Sequence, residues 1–195
     1  MKPCRMLRKI EISNGFLLFV CAYYYFDPAD TFYSFFTAVL LHEAGHLIAL
    51  HLMRVQIHRL RLRICGAEIC TEVLPYSKEL SAAVAGPVVN FLLLMLFAEQ
   101  NPQFALLNLC LCAYNLLPLY PLDGGRVLRA LLHMLLPARV AEIVERIIAA
   151  SCISALIALS CYLTCVWHAG LWPILTCAFL LLKIAGTIFP RKNST

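Results

Sequence analysis

The sequence predicts an all-α polytopic membrane protein of about six transmembrane helices with a small cytoplasmic-side β-hairpin, on three observations. The first is composition. Of 195 residues, 62% are hydrophobic and 14% charged, whereas soluble domains average near half apolar and a quarter charged. The second is arrangement. The charges cluster between apolar runs at 13–26, 31–53, 81–98, 103–118, 147–167 and 171–189, and one bilayer crossing takes roughly 20 residues. Six crossings leave only short connections, so 1–195 reads as a single membrane-embedded domain without room for a sizeable extramembrane or nucleic-acid-binding unit. The third is charge partition. If the six runs cross in turn, all 16 Lys and Arg fall on one side: Lys2, Arg5, Arg8 and Lys9; Arg54, Arg59, Arg61, Arg63 and Lys78; Arg126, Arg129, Arg139 and Arg146; and Lys183, Arg191 and Lys192. The opposite loops hold Asp27, Asp30 and Glu99. Basic loops stay inside, which makes both termini cytoplasmic. The net charge of +5 therefore reports topology and contact with anionic lipid, and does not suggest an acidic substrate.

Along the chain, the first run, 13–26, is short for a crossing. It follows basic residues as a signal peptide would, but no small-residue cleavage site follows Phe26, and its loss would spoil the charge partition. After the second run, Val55, Ile57, Leu60, Leu62 and Ile64, then Ile69, Thr71 and Val73, alternate with polar neighbours across Cys65-Gly66-Ala67. That period of two predicts two short strands joined by a turn. The ribbon serves either as an amphipathic surface whose arginines reach headgroups or as an open strand edge for an extended substrate. The fourth run ends irregularly at two prolines and two glycines, and a further apolar stretch follows at 127–136. Most of the ten cysteines lie inside apolar runs, where a thiol acts as a small hydrophobe. Cys65 and Cys70 fall on the reducing cytoplasmic side, and all ten are read as structural.

The chemistry begins in the second run. Glu43 is the single charged residue between Thr31 and Leu50, within His42-Glu43-Ala44-Gly45-His46. An ionisable group there costs at least ~2.5–3.5 kcal/mol. On a helix His42 and His46 are about 40° apart and one turn distant, so both imidazoles can reach one zinc ion. Glu43 lies beside that face, placed to take a proton from an attacking water. His51 is about 180° round from His42 and cannot join them. In a soluble helix such a motif arises by chance often enough, but unpaired histidines and a glutamate inside hydrocarbon would be expensive. A catalytic zinc takes three protein ligands and keeps a fourth position open. Glu68, Glu72 and His133 are candidates for the third. Asp123 is better placed: it follows the fourth run in Asn115-Leu-Leu-Pro118-Leu-Tyr-Pro121-Leu-Asp123-Gly124-Gly125-Arg126. Irregular backbone at membrane depth is tolerated where it is enclosed by protein or lines a wet cavity. An ordinary Pro-Gly turn is the plainer account of that segment. Asn115 and Asn90 are uncharged polar residues in apolar surroundings, able to hold substrate backbone or an oxyanion, or, for Asn90 above all, to bond between helices.

His42-Glu43-Ala44-Gly45-His46, Ala85-Gly86-Pro87 followed by Asn90, and Asn115-Leu-Leu-Pro118 through Asp123-Gly124-Gly125-Arg126 resemble the three signatures of the site-2 protease family of intramembrane zinc metalloproteases. The resemblance covers about residues 30–140, a catalytic core, with additional transmembrane helices at about 13–26, 147–167 and 171–189. It is closest to the branch containing stage IV sporulation protein FB, which cleaves a membrane-associated pro-sigma factor. This sequence ends at Thr195 where that protein carries a further C-terminal domain. The resemblance implies one zinc held by His42, His46 and Asp123, water activation by Glu43, and a membrane-associated or single-span protein as substrate. Two other classes remain. A metal-ion transporter would line a pathway with acidic and histidine positions, which runs one, three, five and six do not offer. A catalytically silent membrane scaffold would have lost the glutamate or a ligand.

Overall fold

The computed structural model describes residues 10–27, 31–63, 66–166 and short stretches between 174 and 181. It forms two compact units, Met1–Leu116 and Leu117–Thr195. The basic N-terminal cluster, Asp30, Cys65 and most of the last apolar run lie outside the described residues.

The first unit opens with β1 (Ile10–Ile12) and α1 (Asn14–Phe26). Ser13 caps α1 by accepting the Phe16 amide at 3.2 Å, satisfying one of the donors that a helix start leaves free. Helix α2 (Phe32–Leu52) begins without a cap from Thr31. Asp27 substitutes, accepting the Phe32 amide at 2.6 Å and the Thr31 hydroxyl at 2.9 Å. Around that turn the Tyr23 ring meets Phe32 and Phe35 at 6.0 and 5.3 Å between centroids. Helix α2 ends through Arg54, in the left-handed region at φ 56°, with the Val55 amide returning to the Leu50 carbonyl at 3.0 Å.

The alternating segment forms β2 (Ile57–Arg63) and β3 (Gly66–Thr71), paired antiparallel with Leu60 opposite Ile69. The hairpin is as the period of two predicts. A third strand joins it: β1 pairs in parallel with β2, Ile10 opposite Leu60, giving the order β1-β2-β3. Three residues show no readable period, so β1 left no signal in the sequence. The Glu11 carboxylate accepts from Arg61 Nε at 2.9 Å and lies 3.4 Å from Arg59 Nη1. The sheet rests on an apolar cluster of Leu50, Val55, Ile57 and Ala82, with Leu47, Met53, Ile69 and Leu74 against it. This core sits at the C-terminal end of α2.

Helix α3 (Tyr76–Phe97) and α4 (Pro102–Asn115) complete the unit, α3 packing on both α2 and α4. The second unit holds α5 (Asp123–Leu135) and α6 (Ala138–Cys165), which pack together.

Among the described residues three helices are long and apolar enough to cross a membrane: Phe32–Leu52, Tyr76–Phe97 and Ala138–Cys165. They display large apolar side chains outward, Leu40, Ile48, Phe91, Leu96 and Ile157 among them. Such a surface suits hydrocarbon and not water. The first and fourth apolar runs become helices of 13 and 14 residues, about 20 Å each at 1.5 Å per residue and short of a ~30 Å hydrocarbon core. The stretch at 127–136 becomes the body of α5, whose apolar residues share one face opposite Arg126, Arg129 and His133.

Candidate metal centre

His42 and His46 are both buried on α2, one turn apart. Their Nε2 atoms are 3.1 Å from each other, with the rings nearly perpendicular at 83°. His46 Nδ1 is 2.7 Å from the Ala82 carbonyl oxygen. A carbonyl can only accept, so Nδ1 carries the proton and the Nε2 lone pair faces His42. Fixing the tautomer through the second ring nitrogen is how proteins orient metal-binding imidazoles. The floor beneath the rings is the backbone of α3 at Gly86. A Cβ there would overlap His46 Nε2 and stand 2.6 Å from His46 Cε1 and 2.7 Å from His42 Cε1. Glycine is the residue that lets α3 pass beneath both imidazoles.

That contact carries a prediction. Gly86→Ala forces the imidazoles apart and should weaken metal binding by roughly the 10- to 100-fold seen when a ligand's supporting contact is lost. Equilibrium metal titration of the purified protein checks it, and unchanged affinity would remove Gly86 from the site.

Asp123 is the first residue of α5 and is buried. The helix N-terminus favours its negative charge, and Arg126 Nη1 stands 3.8 Å from Oδ1. The turn before it is tight: the Leu122 amide donates to the Leu119 carbonyl at 2.8 Å. Gly125 packs so closely on the Leu119–Tyr120 backbone that a Cβ there would clash with it. The prolines and glycines of this segment thus build a folded entry to α5. His42 and His46 offer two buried nitrogen donors from α2, and Asp123 offers a buried carboxylate at the start of α5. Two imidazoles and a carboxylate fit zinc, which takes nitrogen and oxygen ligands in small numbers.

Glu43 is half-buried beside His42 on α2, and Asn115, also half-buried, ends α4. Asn90 has no exposed surface on α3. Of the rival third ligands, Glu72 is exposed and His133 half-buried two turns and more along α5, while the Glu68 side chain lies outside the described residues. Sequence reasoning missed the Ala82 carbonyl, a backbone group with no side-chain signal. It also passed over Asn108, wholly buried on α4, although a lone amide inside an apolar run was the signal that picked out Asn90.

Long apolar helices and a buried imidazole pair point to the class of membrane-embedded helical proteins with metal-ligating side chains. Comparison with known proteins sharpens that class. Residues 102–157 match the model of Peptidase family M50. Over 117 residues the chain is 33% identical to zinc metalloprotease MJ0392 of Methanocaldococcus jannaschii, a stretch covering 53% of this chain and 34% of that protein. The chain thus spans about a third of the length of this curated relative. Among solved structures, the site-2 protease from Methanocaldococcus jannaschii is similar with a TM-score of 0.63 at 25% identity, over 92% of this chain and 89% of that one. The match to the Peptidase family M50 model and the likeness to a site-2 protease structure agree with the resemblance that the three motifs carry.

Proposed function

We propose that this chain is an intramembrane zinc metalloendopeptidase that hydrolyses a peptide bond in or near a transmembrane segment of a membrane-associated protein. The observation that carries the reading is the buried His42–His46 pair, its nitrogens 3.1 Å apart and one tautomer set by Ala82. His42, His46 and Asp123 are assigned as ligands of one zinc ion. When bound, zinc polarises a carbonyl and makes water more acidic. Glu43, beside the ligands and not opposite them, takes the proton of the attacking water and returns it to the leaving amine. Asn115 is assigned to the substrate side, its amide donating to the oxyanion or the scissile backbone. Enclosure of Asn90 favours an interhelical role over contact with substrate. A helical substrate has its amides bonded internally, so it must unwind locally before attack. The outer edge of β3, at one side of the described sheet, suits an extended segment added as a further strand.

The finer readings rest on the sequence. Six crossings, with both termini and the active-site side cytoplasmic, follow from the partition of the 16 basic residues. Reporter fusions are expected to place both termini inside, and an outside terminus would overturn the topology. Processing of a pro-sigma factor in sporulation rests on the motif resemblance to that branch alone. Co-expression with candidate single-span proteins, read by a size shift that a Glu43→Gln control lacks, tests the function. A metal-ion transporter would instead show altered metal flux and no cleavage. A silent scaffold would show neither.

A further inference from the structure

Asn90 and Asn108 have no exposed surface, yet their amides are poorly served by the protein. Asn108 Nδ2 donates to the Phe104 carbonyl of its own helix at 2.8 Å. Its Oδ1, and both Nδ2 and Oδ1 of Asn90, meet no protein partner among the described residues. Buried polar groups are nearly always bonded, because leaving them bare forfeits their hydration.

The two amides belong to one place. Near the α3–α4 turn Phe97 and Phe104 stack edge to face at 5.3 Å, and further along Cys112 Sγ meets the Pro87 carbonyl at 3.5 Å. These contacts fix α3 and α4 as antiparallel. Asn108 lies four residues from each of Phe104 and Cys112, and Asn90 three from Pro87 and seven from Phe97, so both lie on the touching stripes and come level with each other. Helix α2 supplies the third wall. His46 bonds at Ala82, and a Cβ at Gly86 would meet His42. One further turn along this antiparallel pair brings Ala38, also without exposed surface, level with Asn90. Its methyl leaves more room than any larger side chain would.

We propose that Asn90 and Asn108 hold an internal water at this α2–α3–α4 junction, one helical turn from His42. The unmet groups are two acceptors, Asn90 Oδ1 and Asn108 Oδ1, and one donor, Asn90 Nδ2. A water gives two protons and accepts one, matching all three, and buried waters typically make about three bonds. A cation would face the Nδ2 protons, and an anion would face two oxygens. The site ties the level of α3 to that of α4 independently of the metalloprotease reading.

The test uses the full chain in lipid nanodiscs, with nitrogen-15 labelling of asparagine side chains. Cross-relaxation between water and the Asn90 amide protons, assigned by their loss in Asn90→Leu, is expected at the signature of a long-lived water. Asn108→Leu, which leaves Asn90 in place, should abolish it. Each leucine variant should lower the melting temperature by several degrees, and the double variant by no more than the worse single one, because the water leaves as a unit. An Asn90 signal without water cross-relaxation in the unaltered protein, or strictly additive melting shifts, would overturn the proposal. If the leucine variants do not fold, sequential backbone-to-side-chain assignment of the unaltered protein identifies the Asn90 signal, and its water cross-relaxation decides the question.

Discussion

Glu43→Gln is expected to remove proteolysis while leaving zinc bound. The amide keeps the size and reach of the carboxylate but cannot accept a proton. The loss should therefore equal the contribution of a positioned general base, roughly 10²- to 10⁴-fold in turnover. Metal content should stay near that of the unaltered protein, because the assigned nitrogens at 3.1 Å belong to His42 and His46 and not to Glu43. Two measurements on one preparation are needed: cleavage of a verified substrate, and metal per chain. Cleavage near the unaltered rate would refute the hydrolytic mechanism. Loss of metal along with activity would make Glu43 a ligand.

The spacing of His42 and His46 was enough to predict their meeting, because four residues on a helix dictate one face and one turn whatever surrounds them. The three longest apolar helices and the β2–β3 hairpin were legible for the same reason: each carries a period or a length that local geometry enforces. What escaped is non-local. Strand β1 exists because Ile10–Ile12 meets β2 some fifty residues later and Glu11 finds Arg59 and Arg61. No property of three residues announces such a partner. The carbonyl that orients His46 belongs to Ala82, thirty-six residues away, and a backbone oxygen looks alike at every position. Gly86 was noticed as part of a motif, but only the fold shows why a side chain there is excluded. The runs at 13–26 and 103–118 form shorter helices that stop at Asp27, whose side chain serves the next helix, and at Asn115, where the Pro118 and Pro121 segment takes over.

Asp123→Asn should behave unlike Glu43→Gln. Exchanging the carboxylate assigned as a ligand for a neutral amide removes the negative charge that a divalent cation seeks and leaves a weaker oxygen donor. Metal affinity should fall by at least about 10²-fold, since even losing an outer supporting partner costs roughly 10- to 100-fold. Activity should fall with it, and excess zinc should restore both in part, because the two histidines and Glu43 remain in place. The fold should survive. The substitution keeps the side chain's volume at a helix start that accepts either residue, and the ion pair of Asp123 with Arg126 is long at 3.8 Å. Glu72→Gln and His133→Gln, the rival ligands read from the sequence, serve as controls and should leave metal content unchanged. If Asp123→Asn kept full zinc affinity and one of those controls lost it, the third ligand would have been assigned wrongly. The buried histidine pair would then bind its metal with a different carboxylate or imidazole.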